Sequence, residues 1–521
     1  MIPDSKKIKI LWTDDEIDLL RPHILFLQEK GYTVEIATNG NDAVDLVQSQ
    51  HFDLILLDEN MPGLSGIETL NKIRLLNLTI PVVMITKNEE EHIMETAIGS
   101  KIADYLIKPV NPNQILLSIK KNLDTKKLIT RETTSAYQAE FRNIGEQINM
   151  ARSFADWEDV YRKLVYWELE LERSDDQSMF QVFSMQKTEA GNGFSRFIRN
   201  NYLSWFTEKN TDKPLLSPAV FKEKVFPLLD QKKKVFVILI DNLRLDQWRI
   251  LSPIISEYYT MADDSLFCSI LPTTTQYARN AMFAGLMPRE IASINPDLWS
   301  DDEDEGSKNM NEESLLQKQI SRFGKNYRVY YEKITHTRNG KKIVDNFANL
   351  LEYDLTVIVY NFIDLLSHAN TEVEMIRELA GNDTAYRSLI LSWFQHSQLL
   401  DMIRQMAENN ITVVFTTDHG SIRVNNPVKV VGDRKTTTNL RYKMGKNLNY
   451  NHKEVFEIRD PYAAHLPKVD VSSSYIFAIN SDFLAYPNNY NYYVNYYRNT
   501  FQHGGISMEE MLIPVITMQP R

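Results

Sequence analysis

The stretch KKKVFVILIDNLRLDQW, residues 232–248, contains an unbroken apolar run that ends at Asp241. An apolar run without polar alternation is typical of a strand that is buried on both faces of a parallel sheet. The same pattern returns in DLTVIVYNFID, residues 354–364, which predicts a strand ending at Asp364, and in ITVVFTTDHG, residues 411–420. Because ligands of open α/β sheets bind beyond the carboxyl ends of the strands, these stretches predict an α/β domain with a polar site at one sheet edge.

Acidic residues and histidines cluster at these predicted strand ends. Asp418 and His419 follow the third strand directly, and His368 lies four residues after Asp364, so one helical turn would place both side chains on the same face. His503 lies in FQHGGISMEEMLIP, residues 501–514, where two glycines allow a sharp turn. Carboxylates and imidazoles together suit zinc, with manganese as the nearest competitor.

A threonine cluster supplies a candidate nucleophile. SILPTTTQYARNAMFAG, residues 269–285, places Thr273, Thr274 and Thr275 before a helical stretch of small residues, whose first amides can hold a phosphate. A threonine hydroxyl becomes a useful nucleophile when metal coordination lowers its pKa. Two adjacent metals with such a hydroxyl form a centre for phosphoryl transfer or phosphate-ester hydrolysis.

The N-terminal part alternates apolar runs with amphipathic stretches, which predicts a doubly wound parallel sheet. KIKILWTDDE, residues 7–16, ends in Asp14 and Asp15, and FDLILLDENMPG, residues 52–63, brings Asp58 to another strand end. PVVMITK ends a strand at Thr86, and ADYLIKP brings Lys108. Three carboxylates at one crevice can hold magnesium, while a lysine and a small hydroxyl can contact a phosphoryl group on Asp58.

This N-terminal region resembles the receiver domains of two-component response regulators. The resemblance implies a flavodoxin-like fold, phosphorylation of Asp58 by a cognate sensor histidine kinase, and a phosphorylation-promoted homodimer. It also implies a magnesium site and a set of switch residues. The magnesium site would comprise Asp14, Asp15, Asp58 and Asn60, and the switch residues would be Thr86, Tyr105 and Lys108.

The C-terminal region resembles the PglZ branch of the alkaline phosphatase superfamily. The resemblance implies two zinc ions, one held by Asp241, Asp418, His419 and the nucleophilic threonine, the other by Asp364, His368 and His503. Related nucleotide phosphodiesterases have their nucleophile ten residues before a glycine, as Thr275 stands before Gly285, with Thr274 and Thr273 as alternatives. They also have a phosphate-binding asparagine three residues later, where this chain has Ala278. Arg279 or Asn280 is therefore expected to supply that contact.

Between these regions lies a stretch with helical periodicity and little strand character. Trp157, Tyr161, Leu164, Trp167 and Leu171 recur at helical spacing, which predicts the core of a small helical bundle. The expected organisation is a receiver at 1–125, a helical-bundle connector at 126–206 and a PglZ domain at 207–521. This order resembles the PorX-type response regulators, which are linked to type IX secretion and gliding.

That resemblance implies a phosphorylation-controlled, zinc-dependent phosphodiesterase for short linear or cyclic oligonucleotides. Two alternatives stay open. One is a non-catalytic signalling adaptor that binds a sigma factor or secretion component, and the other is a phosphomonoesterase that uses the same metals.

Composition sets further limits. The chain has 521 residues, 43% hydrophobic and 24% charged, which suits two to four globular domains. Its formal net charge of −11 disfavours non-specific binding to duplex DNA. Cys268 is the single cysteine, which excludes intramolecular disulfides and cysteine-rich metal sites. No apolar run approaches the roughly 18–20 residues that cross a bilayer, and no signal-peptide pattern is present. The expectation is a cytoplasmic protein without membrane insertion.

Overall fold

The computed structural model of the chain describes residues 8–76, 80–87, 102–123, 125–174, 176–207, 213–300, 309–335, 337–433, 436–468, 472–487 and 489–521. The chain divides into two compact units. The first comprises Met1–Ala136 and Arg173–Asp176, and the second comprises Tyr137–Glu172 and Gln177–Arg521. Most of the predicted helical connector therefore packs in one unit with the C-terminal domain.

The described strands of the first unit are β1 Lys9–Thr13, β2 Thr33–Ala37, β3 Leu54–Asp58, β4 Val82–Thr86 and β5 Asp104–Ile107. They form a parallel sheet in the order β2-β1-β3-β4-β5. Successive residues of its central strands pack into two separate apolar clusters, Leu11 and Ile55 in one, Ile10 and Leu54 in the other. Because neighbouring side chains of a strand point to opposite faces, helices cover both faces, and the predicted doubly wound fold is confirmed. The described helices around this sheet are Arg21–Glu29, Gly40–Ser49, Gly66–Leu76 and Pro112–Leu123.

Three long helices follow, Thr125–Met150, Phe154–Glu172 and Gln177–Asn201. The aromatic stripe of the second helix is buried, with Trp157 only 2% exposed, which confirms the prediction that it forms a core. Gly193 lets the helices approach closely, because a Cβ there would lie 2.6 Å from the Trp157 ring. On the same helix, a Cβ at Gly191 would lie 2.5 Å from Asn480, so this helix packs directly against the C-terminal domain.

The second unit is built on a sheet of six strands, namely β6 Val235–Ile240, β7 Tyr259–Cys268, β8 Val329–Ile334, β9 Leu355–Tyr360, β10 Thr412–Thr416 and β18 Leu512–Pro520. Their order in the sheet is β7-β18-β10-β6-β9-β8. β8, β9, β6 and β10 run parallel, whereas β18 and β7 pair antiparallel at one side. Every residue of the central strands β6, β9 and β10 is buried, as their unbroken apolar runs require.

Three small sheets lie between β10 and β18 in the sequence. They pair β11 Ile422–Arg423 with β17 Phe501–Gln502, β12 Asn426–Lys429 with β16 Asp482–Ala485, and β13 Tyr442–Gly445 and β14 Val455–Ile458 with β15 Ser474–Ala478.

The α-helices of the second unit beyond the connector connect and cover these strands. They are Phe226–Asp230, Leu245–Ile255, Asn280–Ala284, Pro288–Ile294, Glu312–Arg322, Thr337–Asp345, Phe347–Leu350, Phe362–Glu372, Glu374–Leu379, Asp383–Gln395, Gln398–Glu408, Tyr490–Tyr497 and Met508–Met511. Among the described residues, no helix combines the length and the apolarity needed to cross a bilayer.

One predicted strand boundary is wrong. β9 ends at Tyr360, and Asp364 lies in the first turn of the helix Phe362–Glu372. The apolar run up to Tyr360 is buried, whereas the next residue, Asn361, is partly exposed and precedes the first helical turn. Asp364 and His368 therefore share a helix, as their spacing predicts.

Candidate metal centre and nucleophile

Two neighbouring strands bring together a first cluster, defined as Asp241, Asp418 and His419. Asp241 directly follows β6, and Asp418 lies two residues after β10, which pairs in parallel with β6. The Nε2 atom of His419 lies 3.9 Å from Asp241 Oδ1 and 3.5 Å from Asp418 Oδ2. All three side chains are almost completely buried, and each offers one ligand atom within 4.8 Å of the others.

A second cluster, defined as Asp364, His368 and His503, lies beside the next strand of the sheet. The helix that follows β9 carries Asp364 and His368, and the Nε2 atom of His368 lies 3.5 Å from Asp364 Oδ2. His503 directly follows β17, and its Nε2 atom lies 3.6 Å from Asp364 Oδ1. The ligand atoms of this cluster also lie within 4.8 Å of one another.

The two clusters adjoin one another. The rings of His419 and His503 stack with their centroids 4.3 Å apart and an angle of 16° between their planes. A pocket of about 320 Å³ is lined by Asp241 of the first cluster and by Asp364 and His503 of the second. Thr275 also lines this pocket, and its Oγ1 atom lies 3.2 Å from His419 Nε2. The arrangement places a hydroxyl beside two adjacent sets of metal-binding groups.

The three threonines differ in what their hydroxyls contact. Thr273 donates to the Gly505 carbonyl at 3.0 Å and accepts from the Gly504 amide at 3.0 Å, so its hydroxyl holds the loop that carries His503. Thr274 and Thr275 both line the pocket, but the buried Oγ1 atom of Thr274 has no hydrogen-bond partner among the described residues, whereas Thr275 is partly exposed and its Oγ1 atom contacts His419. This geometry favours Thr275 as the nucleophile.

The chemistry of the first cluster fits a metal ion. Burial raises the pKa of Asp241 well above its usual value, and its Oδ1 atom has no hydrogen-bond partner among the described residues. For Asp418, burial is outweighed by the charge of the Arg279 guanidinium, which lowers the pKa. A buried carboxylate oxygen without a donor, facing an imidazole nitrogen, is the kind of group that a dication satisfies.

The second cluster also presents metal-ready groups. Burial and the neighbouring His419 lower the pKa of His503 to about 3, so its ring is neutral at physiological pH. Neutral imidazole is the form that binds metals. The Nδ1 atom of His503 lies 3.3 Å from the Thr273 carbonyl, which orients the ring with Nε2 toward Asp364.

The predicted phosphate-binding residues do not lie at the pocket. Arg279 is completely buried, and its guanidinium contacts Asp241, Asp418 and Glu312. Asn280 is 1% exposed and is also absent from the residues that line the pocket. The Arg279 guanidinium is engaged by three carboxylates, so the expectation that Arg279 contacts the substrate phosphate is corrected. The same role for Asn280 stays a prediction.

Several polar residues at the site were not anticipated from the sequence. Asn242, which has a left-handed backbone (φ 69°), donates from Nδ2 to Asp364 Oδ1 at 3.5 Å and to Ser367 Oγ at 3.3 Å. Its position directly after Asp241 was an available signal. Other neutral polar side chains line the pocket, namely Gln276, Asn309, Asn361, Asn439 and Tyr442. Of these, only Asn361 follows a strand of the main sheet.

The first unit holds its own acidic cluster. Asp14, Asp15 and Asp58 each offer a ligand atom within 4.8 Å of the others. The Nζ atom of Lys108 lies 2.8 Å from both Asp14 Oδ2 and Asp58 Oδ1. Burial raises the pKa of Asp58 although Lys108 opposes this. Three carboxylates beside one lysine suit a hard cation such as magnesium.

The remaining receiver residues named from the sequence lie in the same unit. Thr86, at the end of β4, is buried and hydrogen-bonded to the side chain of Tyr105 in β5. Asn60 is exposed, and its backbone amide donates to Asp58 Oδ2 at 3.2 Å.

Comparison with known families gives three matches along the chain. Residues 10–120 match the response regulator receiver domain, residues 127–206 match the PorX response regulator linker domain, and residues 220–518 match the BREX system PglZ alkaline phosphatase-like domain. The last match covers more than half of the 521 residues.

Individual relatives match about a quarter of the chain. The transcriptional regulatory protein ZraR of Klebsiella oxytoca is 33% identical over 142 residues, which are 27% of this chain and 32% of ZraR. The transcriptional regulatory protein ResD of Bacillus subtilis is 34% identical over 116 residues, 22% of this chain and 48% of ResD. The chain thus spans about a third to a half of the length of these relatives.

Among solved structures, a CheY-like receiver domain protein from Methanospirillum hungatei is 29% identical, with a TM-score of 0.23. That match covers 23% of this chain and 96% of the other.

Proposed function

Because the chain belongs to the family of PglZ alkaline phosphatase-like domains, we propose that its C-terminal domain is a two-zinc phosphodiesterase. The receiver, the PorX linker and the PglZ domain follow one another in the order of a PorX-type response regulator. The proposed substrates are short linear or cyclic oligonucleotides, and the proposed control is phosphorylation of the receiver.

In this proposal the first cluster and Thr275 hold one zinc ion and the second cluster holds the other. Bound zinc supplies positive charge to the reacting phosphate and lowers the pKa of the threonine hydroxyl. Manganese is the competing metal for such a donor set. The mixture of carboxylate and imidazole groups, without cysteine, supports this assignment.

The observation that carries the proposal is the position of Thr275. Its Oγ1 atom lies 3.2 Å from His419 Nε2, at a pocket that both clusters line. A hydroxyl at this position would attack the phosphorus of a substrate bound in the pocket. The hydroxyl of Thr273 is engaged by the backbone, and the hydroxyl of Thr274 has no hydrogen-bond partner in either cluster among the described residues, so both are less suited to this role.

The proposed reaction has two displacements at phosphorus. Thr275 Oγ loses its proton to solvent and attacks phosphorus, a P–O bond to the threonine forms, and the bond to the leaving alcohol breaks. The departing alkoxide takes a proton from water and leaves as the alcohol. A second water then attacks the same phosphorus, releases the phosphate monoester product and restores the threonine hydroxyl.

The charge of the pocket supports a diester substrate. Its described lining residues are acidic, neutral or imidazole, and none of them is lysine or arginine. A diester brings one negative charge, whereas a monoester brings up to two. A site whose described side chains offer no fixed cation is better matched to the lower charge, which two dications neutralise readily.

Regulation is proposed to begin at Asp58. A cognate sensor histidine kinase phosphorylates Asp58 in the presence of magnesium held by Asp14, Asp15, Asp58 and Asn60. Thr86, Tyr105 and Lys108 respond to the phosphoryl group, and a homodimer is favoured. Phosphorylation would thus shift the population of receiver states toward the state that favours the dimer. A role in type IX secretion and gliding, and a cytoplasmic location, are part of the same proposal.

The test is hydrolysis of a matched substrate panel by the full-length protein. The panel contains linear dinucleotides and trinucleotides, cyclic dinucleotides and the corresponding terminal monophosphates, each with added zinc or with chelator. Chelator-sensitive cleavage of internal diesters supports the proposal. Preferential release of terminal phosphate would instead establish a monoesterase, and no turnover of any substrate would reject an enzymatic output.

A further inference from the structure

A buried arginine lies directly behind the first cluster. Arg279 is 0% exposed, and its side chain contacts three carboxylates. Its Nε atom lies 3.1 Å from Asp418 Oδ2, and its Nη2 atom contacts both Asp418 Oδ1, at 3.4 Å, and Asp241 Oδ2. The second oxygen of Asp241, Oδ1, is left without a hydrogen-bond partner among the described residues and faces His419 Nε2.

Glu312 holds the far side of this guanidinium. Its Oε1 atom accepts from Arg279 Nη1 at 3.3 Å and from Asn309 Nδ2 at 3.2 Å, while its Oε2 atom accepts from the hydroxyl of Tyr331. Lys333 Nζ lies 3.6 Å from Oε1. Glu312 is itself 1% exposed. A buried carboxylate with this many donors is fixed in place and so can fix the arginine.

We propose that Arg279, anchored by Glu312, is a positioning residue that preassembles the first metal site. It holds one oxygen of Asp241 and thereby directs the other oxygen toward the metal position beside His419. It also keeps the carboxylates of Asp241 and Asp418 adjacent although both are buried. This inference rests on the proposed metal centre, and it assigns to Arg279 a role different from substrate binding.

The geometry requires arginine in particular. A guanidinium presents planar donors in fixed directions, so one side chain can bridge three carboxylates, whereas a lysine ammonium is a single point of charge on a flexible stem. Groups that orient metal ligands typically change metal affinity by about 10- to 100-fold when they are replaced. The same range is expected here for Arg279→Lys.

Glu312 also contacts a residue of the pocket wall. Asn309, which donates to Glu312, is one of the residues that line the pocket. Replacing Glu312 would therefore loosen both Arg279 and this part of the wall. Glu312→Gln keeps the size of the side chain and removes its charge. It is therefore expected to lower the zinc affinity less than Arg279→Lys does.

The experiment measures zinc affinity rather than turnover. Apo full-length protein is titrated with zinc against a chromophoric chelator, for wild type, Arg279→Lys, Glu312→Gln and the double variant. Arg387→Lys is the matched control, because Arg387 is also buried and paired with Glu168, Glu172 and Asp246, yet contacts neither cluster.

Wild type is expected to bind two zinc ions. Arg279→Lys is expected to weaken one of them about 10- to 100-fold and to leave the other unchanged. The double variant should resemble Arg279→Lys, because both substitutions act through one contact. Arg387→Lys should lower the melting temperature without changing either zinc affinity.

Three outcomes would overturn the inference. Unchanged zinc affinity in both Arg279→Lys and Glu312→Gln excludes a positioning role, and Glu312→Gln alone decides the matter if Arg279→Lys does not fold. An equal loss of zinc affinity in Arg387→Lys would show that disturbing any buried ion pair weakens zinc binding. Wild type that binds no zinc would instead reject the metal centre itself, so the failure of the proposed function is distinguishable.

Discussion

Asn242 and Asp364 connect the two clusters, because the side-chain amide of Asn242 lies 3.5 Å from Asp364 Oδ1. Asn242 follows Asp241 of the first cluster, and Asp364 belongs to the second. The left-handed backbone at Asn242 turns the chain immediately after β6 and brings the amide to this position. One residue therefore ties the strand end that carries one cluster to the helix that carries the other.

Asn242→Gly is expected to weaken zinc binding at the second cluster by about 10-fold, because the amide that orients Asp364 is lost. Glycine adopts the left-handed backbone without strain, so the turn is retained. Zinc competition titrations check this. Equal weakening at both clusters, or none, would contradict the role given to Asn242.

The buried Lys443 predicts a stability that depends on pH. Burial lowers the pKa of Lys443 to about 7, and its Nζ atom donates to the Thr437 carbonyl at 2.9 Å. The unfolded chain keeps the ordinary higher pKa, so between these values it binds more protons than the folded chain. The contribution of Lys443 to stability therefore rises with pH from about 7 upward, and the penalty of burying its charge is fully present below that pH.

Lys443→Met removes this charge and is expected to stabilise the protein most below pH 7, by a few kcal/mol, since each pKa unit corresponds to about 1.4 kcal/mol. The advantage should shrink steadily above pH 7. Chemical unfolding of both proteins across pH 6 to about 10 measures it. A difference between them that stays constant with pH would show that Lys443 is not buried in its charged form at low pH.

Gly193→Ala is expected to destabilise the protein by about 1–3 kcal/mol, because the added Cβ would lie 2.6 Å from the Trp157 ring. Gly145→Ala is the matched control, since it is also helical and its nearest neighbour would be 3.8 Å away. The control should be neutral or slightly stabilising. Thermal unfolding of the two variants compares them, and equal melting temperatures would contradict the close helix packing described for Gly193.

Phosphorylation of Asp58 is expected to raise the fraction of dimer and to change the rate of diester hydrolysis. Treatment with a small-molecule phosphodonor and magnesium supplies the phosphoryl group, and Asp58→Ala should abolish both responses. Sedimentation velocity and product release from the same samples measure them. If Asp58→Ala protein responds like wild type, the receiver is not the input.

Much of the fold and site followed from local pattern. Each member of the first cluster comes directly or within three residues after a buried apolar strand, and such strands place their carboxyl ends along one edge. The helical spacing of Asp364 and His368 likewise predicted their shared face. These inferences needed only the periodicity of the chain and the rule for parallel sheets.

The rest depended on tertiary packing that local pattern does not show. Arg279 follows Thr275 by four residues, and this spacing suggested a contact with the substrate phosphate. Its side chain instead contacts three carboxylates in the interior. Asn309 and Asn439 reach the pocket from loops far apart in sequence. The hydrophobic periodicity of the sequence does not predict where such loops lie in the fold. The strand end at Tyr360, rather than Asp364, was missed because the apolar run continues through Phe362 and Ile363 into the helix.

The central claim is that Thr275 is the nucleophile of a zinc-dependent phosphodiesterase. The most direct measurement is hydrolysis of a linear dinucleotide by zinc-loaded wild type, Thr275→Val and Thr275→Ser, each with and without chelator. We expect chelator-sensitive cleavage by wild type, a loss of about 10³-fold or more in Thr275→Val, and partial activity in Thr275→Ser, which keeps a hydroxyl. Cleavage by Thr275→Val at the wild-type rate would contradict the claim.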